Sequence, residues 1–178
     1  MSTQETVRRK AGSVEENAVR IETAKAEQIV EALNVDLAAT YVLYHQLRKH
    51  HWNVEGAEFN DLHEFLGERA EEAEAAADEL AERAQALGGV PISGPANLEE
   101  HAPVEFEGED VYDIRTSLEH DRELYGDVIE TVREHVGLAE DLEDYATSEL
   151  LRDVLENLEN AAHEIDHYLE DDTLVRTN

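Results

Sequence analysis

The stretch His51-Trp52-Asn53-Val54-Glu55-Gly56-Ala57-Glu58-Phe59-Asn60-Asp61-Leu62-His63 joins two long segments of helical periodicity. Apolar residues recur every three or four positions from about residue 27 to 51, and an Ala/Glu-rich run does the same up to Leu87. The turn at 53–56 predicts a helical hairpin, with Asn60 or Asp61 as the N-cap of its second helix and Gly88-Gly89 as its stop.

Two further long helices are predicted downstream of a proline-containing connection at residues 90–109, in which 97–101 could form a short helix. The third long helix should span about 110–135, with Gly137 as its stop, and the fourth about 147–170. No strand pattern and no repeat are present. The sequence therefore predicts an all-α fold, a ferritin-like four-helix bundle with a long crossover between its second and third long helices.

The bundle should occupy residues 25–172, with a flexible N-terminal tail at 1–24 and a C-terminal tail at 173–178. No run of 18 apolar residues and no apolar signal core is present, which excludes a membrane partner and predicts a cytoplasmic protein.

The charge is strongly acidic, with 44 Asp and Glu against 14 Lys and Arg and a net charge of −30. Such a surface repels nucleic-acid phosphates and anionic lipids, attracts cations, and is typical of a halophilic protein in concentrated salt. Basic residues are concentrated in the N-terminal tail, which is either a disordered arm or an arm that touches nucleic acid or another subunit. They are Arg8, Arg9, Lys10, Arg20 and Lys25.

A metal site in this chain must use His, Asp and Glu, because there is no Cys, and this ligand set favours iron, manganese or zinc. A di-iron site inside the bundle needs Glu-x-x-His on two helices, and only Glu164 to His167 fits. His163 and His167 are spaced to chelate a metal from one helix face, although a solvated pair is the favoured explanation.

On the second helix, acids and a histidine fall within one stripe of roughly 100°, opposite the apolar side. The stripe contains His63, Glu71, Glu74, Asp78 and Glu82. It is either a solvated face or half of a site completed by a second subunit. Two such helices, antiparallel about a two-fold axis, would bring Asp78 and Glu82 of one chain towards His51 and His63 of the other, giving two identical sites.

This stretch closely resembles the Dps family, the mini-ferritins that protect DNA in starved cells. The resemblance rests on His51-Trp52-Asn53-Val54-x-Gly56-x-x-Phe59-x-x-Leu62-His63-Glu64, Asp78-x-x-Ala81-Glu82-Arg83 and Leu87-Gly88-Gly89. It implies a ferroxidase centre at a subunit interface, with His51 and His63 from one chain and Asp78 and Glu82 from its partner. Fe(II) would be oxidised to Fe(III), with hydrogen peroxide as the favoured oxidant, and stored as ferric oxide inside a hollow homo-dodecamer.

The sequence departs from the family at Gly67, where the family has an Asp ligand four residues after the second histidine. This leaves the implied centre one carboxylate short. Glu71, one turn further along the stripe, is the first candidate to compensate, and Glu64 and Glu68 are alternatives.

The resemblance also suggests roles for other residues. Glu149, Asp153 and Glu156 would line a three-fold pore for Fe(II), unless they form only a solvated helix face, and Arg152 is placed to pair with one of them. Glu71 and Glu74 would nucleate ferric oxide. Trp52 either packs at the turn or donates electrons near the centre. The rival hypothesis is a DNA-compacting structural protein with a degenerate metal site, which the basic tail favours and the net charge opposes.

Overall fold

Four long helices and one short helix form the protein in a computed structural model that describes residues 6–170. They are α1 (Thr23–Asn53), α2 (Phe59–Ala86), α3 (Pro95–His101), α4 (Ile114–Asp141) and α5 (Tyr145–Leu169). No strand is present in residues 6–170. The predicted all-α architecture is confirmed, including the short helix in the connection between the second and third long helices.

Side-chain contacts fix the directions of the helices. Position 46 of α1 contacts position 121 of α4, and position 36 contacts position 135, so these two helices are antiparallel. Since α1 and α2 form a hairpin, α2 and α4 are parallel. The chain must therefore return along the length of the bundle, roughly 40 Å for a 28-residue helix, which explains the long connection.

The bundle core is apolar and contains side chains from all four long helices. Leu33, Leu66, Val128 and Ile165 have no exposed surface. Burial of each such side chain contributes about 1.5–3 kcal/mol to folding. The three- and four-residue spacing predicted from the sequence places these residues on the inward side of each helix.

A buried polar cluster attaches the crossover to the bundle. His50 donates from Nδ1 to Asp121 of α4 (2.8 Å) and from Nε2 to Glu107 of the crossover (2.6 Å). Glu107 also accepts hydrogen bonds from Lys49 and His120. Burial alone would lower the pKa of His50, but the hydrogen bonds and charges of Asp121 and Glu107 outweigh it and raise that pKa.

Three predicted helix boundaries are wrong. Helix α2 begins at Phe59, and its N-cap residue is Glu58 rather than Asn60 or Asp61. Helix α4 continues through Gly137 to Asp141, because Leu138 and Ala139 keep the inward spacing and Gly137 lies on the exposed side. Helix α4 begins at Ile114 because Asp113 accepts a hydrogen bond from the Thr116 backbone N–H.

The predicted stop at Gly88 is confirmed. Gly88 has φ +86°, in the region that favours glycine, and a Cβ there would lie 2.2 Å from the carbonyl oxygen of Glu15. The Glu15 backbone N–H in turn donates to the carbonyl of Gly88 (3.0 Å), and Val14 and Ile21 pack against the core. The described part of the N-terminal segment thus lies on the C-terminal end of α2. The predicted C-terminal tail at 173–178 lies outside the described residues.

Candidate metal centre at the α1–α2 turn

The rings of the two histidines on either side of the turn are each hydrogen-bonded to the backbone carbonyl of the other histidine. Nδ1 of His51 lies 2.6 Å from the carbonyl oxygen of His63, and Nδ1 of His63 lies 2.9 Å from that of His51. Their rings stack with centroids 3.8 Å apart. A carbonyl oxygen can only accept, so each Nδ1 carries the proton and each neutral ring keeps a lone pair on Nε2. This is the tautomer that binds a metal through Nε2.

Gly67 lies against the imidazole of His51. A Cβ at position 67 would lie 3.0 Å from Cε1 and 3.1 Å from Nδ1 of that ring, a tight contact that would require the ring to shift by a few tenths of an ångström. The ring cannot move away freely, because it is stacked on His63 and hydrogen-bonded to its carbonyl. The position that sequence comparison treats as a missing ligand is therefore a contact surface for the first histidine.

The carboxylates predicted to complete the site lie elsewhere on α2. Asp78 and Glu82 are exposed and follow His63 by four and five helical turns, roughly 22 and 28 Å along the axis. Within residues 6–170, no group of three or more His, Asp and Glu side chains is close enough to hold a metal ion. The structure brings the two histidines together but does not bring the two acids to them within one chain.

Glu71 and Glu74 are exposed on the same side of α2 as Asp78. Together with Tyr41 and Ala75, these acids line an open depression of about 390 Å³. The carboxylate of Glu71 lies 3.7 Å from the guanidinium of Arg48. A role for Glu71 as a replacement ligand remains a prediction.

Trp52 borders the centre and does not pack into its own turn, since 71% of its surface is exposed. It lines a groove of about 430 Å³ between α1 and the crossover, with Tyr41, His45, Leu98 and Phe106. Tyr41 lines both this groove and the depression with Glu71, so the two surfaces adjoin. An apolar groove beside a half-built ligand set suits a face that a second copy covers.

The predicted pore acids Glu149, Asp153 and Glu156 are exposed and form no ion pair with any residue between positions 6 and 170. Arg152 pairs with Glu140 at the end of α4 rather than with one of them. On the same helix, Nε2 of His163 lies 3.1 Å from Nε2 of His167.

Arg83 connects the end of α2, where Glu82 is located, to the start of α5. Its terminal nitrogen donates to both oxygens of Asp144 (2.7 and 2.9 Å), and Nε donates to the Thr147 hydroxyl (2.8 Å). Burial opposes ionisation of Asp144, but hydrogen bonds from Thr147 and Arg83 outweigh it and lower its pKa. Arg83 thus links the part of α2 that carries Glu82 to the start of α5, which carries the candidate pore acids.

Sequence reasoning did not identify the polar cluster of Lys49, His50, Glu107, His120 and Asp121 behind the site. The available signal was the position of His50 and Asp121 on the inward sides of α1 and α4, where a charged residue needs a partner. The partner Glu107 comes from an irregular segment, so helical periodicity could not reveal it.

Comparison with known proteins places this geometry in a family. A model of the ferritin-like domain matches residues 30–175. The DNA protection during starvation protein of Halobacterium salinarum is 64% identical over 176 residues, which cover 98% of this chain and 97% of that protein. The chain belongs to the Dps family of ferritin-like proteins.

Solved structures agree with this assignment. An archaeal Dps homologue from Halobacterium salinarum matches with a TM-score of 0.93 and 63% identity, covering 98% of both chains. The Dps protein of Vibrio cholerae, described as a member of a broad superfamily of ferritin-like diiron-carboxylate proteins, matches with a TM-score of 0.83 and 26% identity, covering 89% of this chain and 99% of that one. At the level of the family, this supports iron storage. No helix within the described residues is long and apolar enough to cross a membrane.

Proposed function

We propose that this protein binds Fe(II) at sites shared by two subunits, oxidises it to Fe(III) and stores ferric oxide inside a hollow dodecamer. One observation carries the proposal. Nδ1 of His51 and of His63 is each hydrogen-bonded to the backbone carbonyl of the other histidine, which leaves both Nε2 lone pairs free for a metal. A histidine pair held in the metal-binding tautomer needs carboxylates to favour iron, and one chain supplies none within reach.

A two-fold axis would complete the site. The midpoint between His63 and the pair Asp78 and Glu82 falls near Glu71, so an axis there would place the acids of one α2 beside the histidines of the other. Ala75, on the exposed side one turn further on, lets the two helices approach closely. The exposed Trp52 and its groove would be covered by the same contact.

The ligand types fit the reaction. Imidazole nitrogens suit Fe(II), and carboxylates stabilise the additional positive charge of Fe(III). With hydrogen peroxide as the oxidant, two Fe(II) each give one electron, and one peroxide takes these electrons and two protons to become two waters. Consumption of both reactants together prevents one-electron reduction of peroxide to hydroxyl radical, which is a protective role under oxidative stress.

The acids of α5 and α2 fit the transport and storage steps. Glu149, Asp153 and Glu156 are free of ion pairs within the described chain and would attract Fe(II) to a three-fold pore. Glu71 and Glu74 would hold Fe(III) ions close together and seed the mineral. Replacement of the three pore acids by Gln should slow uptake at micromolar Fe(II) in stopped-flow absorbance measurements. It should leave the rate unchanged at saturating Fe(II), and an equal loss at both concentrations would argue against the pore assignment.

Subunit complementation tests the shared site. A His51→Ala/His63→Ala chain and an Asp78→Asn/Glu82→Gln chain should each lack fast Fe(II) oxidation. After co-refolding in equal amounts, about a quarter of the sites should combine intact histidines with intact acids, and about a quarter of the wild-type rate should return. A separately folded 1:1 mixture is the control. No recovery after co-refolding, with assembly intact, would exclude a site shared in this way.

A DNA-binding role is the second candidate, because the Halobacterium relative carries the name DNA protection during starvation protein. Arg8, Lys10 and Arg20 in the N-terminal segment are exposed and could reach phosphate, whereas the net charge of −30 opposes DNA binding. We expect no gel shift of duplex DNA at 0.15 M KCl, with or without Arg8, Lys10 and Arg20 changed to Gln. A shift that disappears on these three exposed substitutions would support DNA binding through the N-terminal segment.

A further inference from the structure

Exposed side chains that can bind metals form a straight stripe along α5. Spaced four and three residues apart, they lie on one side of the helix. In order, they are Glu149, Asp153, Glu156, Asn160, His163 and His167. All are exposed, and none forms a salt bridge with another residue of the described chain.

Other acids on α5 differ in this respect. Glu159 pairs with Arg133 (2.6 Å), Asp166 with Arg122 (3.0 Å), and Glu164 lies 3.8 Å from Arg69. The arginines of neighbouring helices therefore pair with acids outside the stripe. The side chains of the stripe therefore remain available to bind a cation from solution.

The two histidines are close enough to share one ion. Their Nε2 atoms are 3.1 Å apart, and their ring centroids are 4.4 Å apart. With metal–nitrogen distances of about 2.0–2.1 Å, this separation corresponds to an N–metal–N angle of about 95–100°, between octahedral and tetrahedral values. Histidines at i and i+4 are a recurrent way for a helix to bind a metal.

We propose that His163 and His167 form a two-nitrogen site for a divalent transition-metal ion, with water in the remaining positions. The pair lies in the last two turns of α5, where the carbonyl end of the helix favours a positive charge. Its use as a station for Fe(II) beyond the pore acids rests on the proposed function. Metal binding by the pair does not depend on it.

The competing explanation is an Nε2–H···Nε2 hydrogen bond with no role in binding. The two explanations differ in the response to Ni(II), which prefers imidazole to carboxylate and therefore discriminates against the acidic surface. We would titrate Ni(II) calorimetrically into the full-length assembled protein carrying His51→Ala and His63→Ala, so that the site at the turn does not contribute. One Ni(II) per chain should bind.

Further substitution of His163 or His167 by Ala should weaken Ni(II) binding at least as much as loss of an outer-shell partner does, roughly 10–100-fold. His101→Ala is the matched control, because His101 is also exposed on a helix and its ring is hydrogen-bonded to the Asn97 carbonyl of the same helix. Both histidines of the pair are exposed, so the variants should fold normally. Absence of Ni(II) binding in the starting protein, or equal binding after loss of the pair, would overturn the proposal.

The two proposals can fail separately. In the otherwise wild-type chain, His163→Ala/His167→Ala should keep the maximal oxidation rate at saturating Fe(II) while the Ni(II) site disappears. Loss of oxidation in the His51→Ala/His63→Ala chain with retained Ni(II) binding would support both. Retained oxidation in that chain would contradict the function proposed for the turn and leave the α5 site standing on its own measurement.

Discussion

The imidazole of His51 is confined by the carbonyl of His63, the ring of His63 and the backbone of Gly67. A carboxylate at position 67 would need a Cβ 3.0 Å from this ring, and the confined ring would have to shift by a few tenths of an ångström. Gly67→Asp should therefore displace His51 rather than supply a ligand, and it should slow Fe(II) oxidation.

Gly67→Ala is the control, since it adds the same Cβ without a carboxylate. Overpacking of about 1–3 kcal/mol should lower the Tm of both variants by roughly 2–10 °C, and both should lose oxidation rate to a similar degree. Calorimetry and stopped-flow absorbance would measure these changes. A Gly67→Asp protein that oxidises Fe(II) faster than wild type would show that the position accepts a ligand.

At this scale, the sequence identified the histidines and acids by residue type and spacing. It could not reveal which ring nitrogen is free, because that depends on hydrogen bonds between each ring and the backbone carbonyl of the other histidine, twelve residues away. Gly67 appeared to be a lost ligand for a similar reason. Its contact with a ring sixteen positions earlier exists only after α1 and α2 pack together.

At the scale of elements, the buried Asp36 of α1 and the half-buried His135 of α4 form a pair with 2.7 Å between Oδ1 and Nδ1. Burial raises the pKa of Asp36 against the opposing bond from His135. Burial lowers the pKa of His135, but the bond and charge of Asp36 outweigh it and raise that pKa above 6.5. Each raised pKa means that the folded state holds its proton more tightly than the unfolded state.

The stabilisation of the folded state by protonated His135 is therefore fully present below pH 6.5. It is lost as the pH rises through the higher pKa that His135 has in the folded state. We expect the free energy of unfolding of the wild type to fall above pH 6.5, relative to an Asp36→Asn/His135→Gln protein, by up to about 1.4 kcal/mol per pH unit. Urea unfolding from pH 6 to 9 would measure this difference. A constant difference over that range would contradict the assigned shift.

Arg83 links α2 to the start of α5 through three hydrogen bonds, two to Asp144 and one to Thr147. Arg83→Lys keeps the charge but cannot reproduce this planar arrangement, and it should cost about 1–3 kcal/mol. Arg133→Lys, at an exposed pair with Glu159, should cost less than about 1 kcal/mol. Urea unfolding of both variants would measure the two losses of unfolding free energy. Equal losses would contradict the larger contribution assigned to the Arg83 hydrogen bonds.

Helix existence was predictable because inward apolar spacing continues over many turns, whereas some helix ends were not. Gly137 was expected to end α4, yet the helix passes through it and ends at Asp141, two residues before Glu143, which takes φ +65°. A glycine signals a stop only where the chain must turn, as at Gly88. At Gly137, the inward residues Val136 and Ala139 continue the buried side and outweigh the local preference.

At the scale of the whole molecule, the four-helix topology followed from the long connection, while the two adjoining surface depressions did not. Tyr41 packs partly against the core, and it also lines both the groove beside Trp52 and the acidic depression. Helical spacing distinguishes a buried side from a solvated one. It cannot distinguish a core position from an interface position, because both require apolar surface.

The net charge of −30 repels itself within one chain and would do so more strongly in a closed shell. The distance over which charges interact falls from about 10 Å in 0.1 M salt to about 3 Å in 1 M salt. The Tm should therefore rise between 0.1 and 2 M KCl, as measured by calorimetry. A variant with Glu27, Glu31, Glu123 and Glu130 changed to Gln has four fewer charges and exposed substitutions only, so it should be more stable than wild type at 0.1 M and rise less with salt. Parallel rises in the two proteins would show that salt acts on burial of apolar surface rather than on charge.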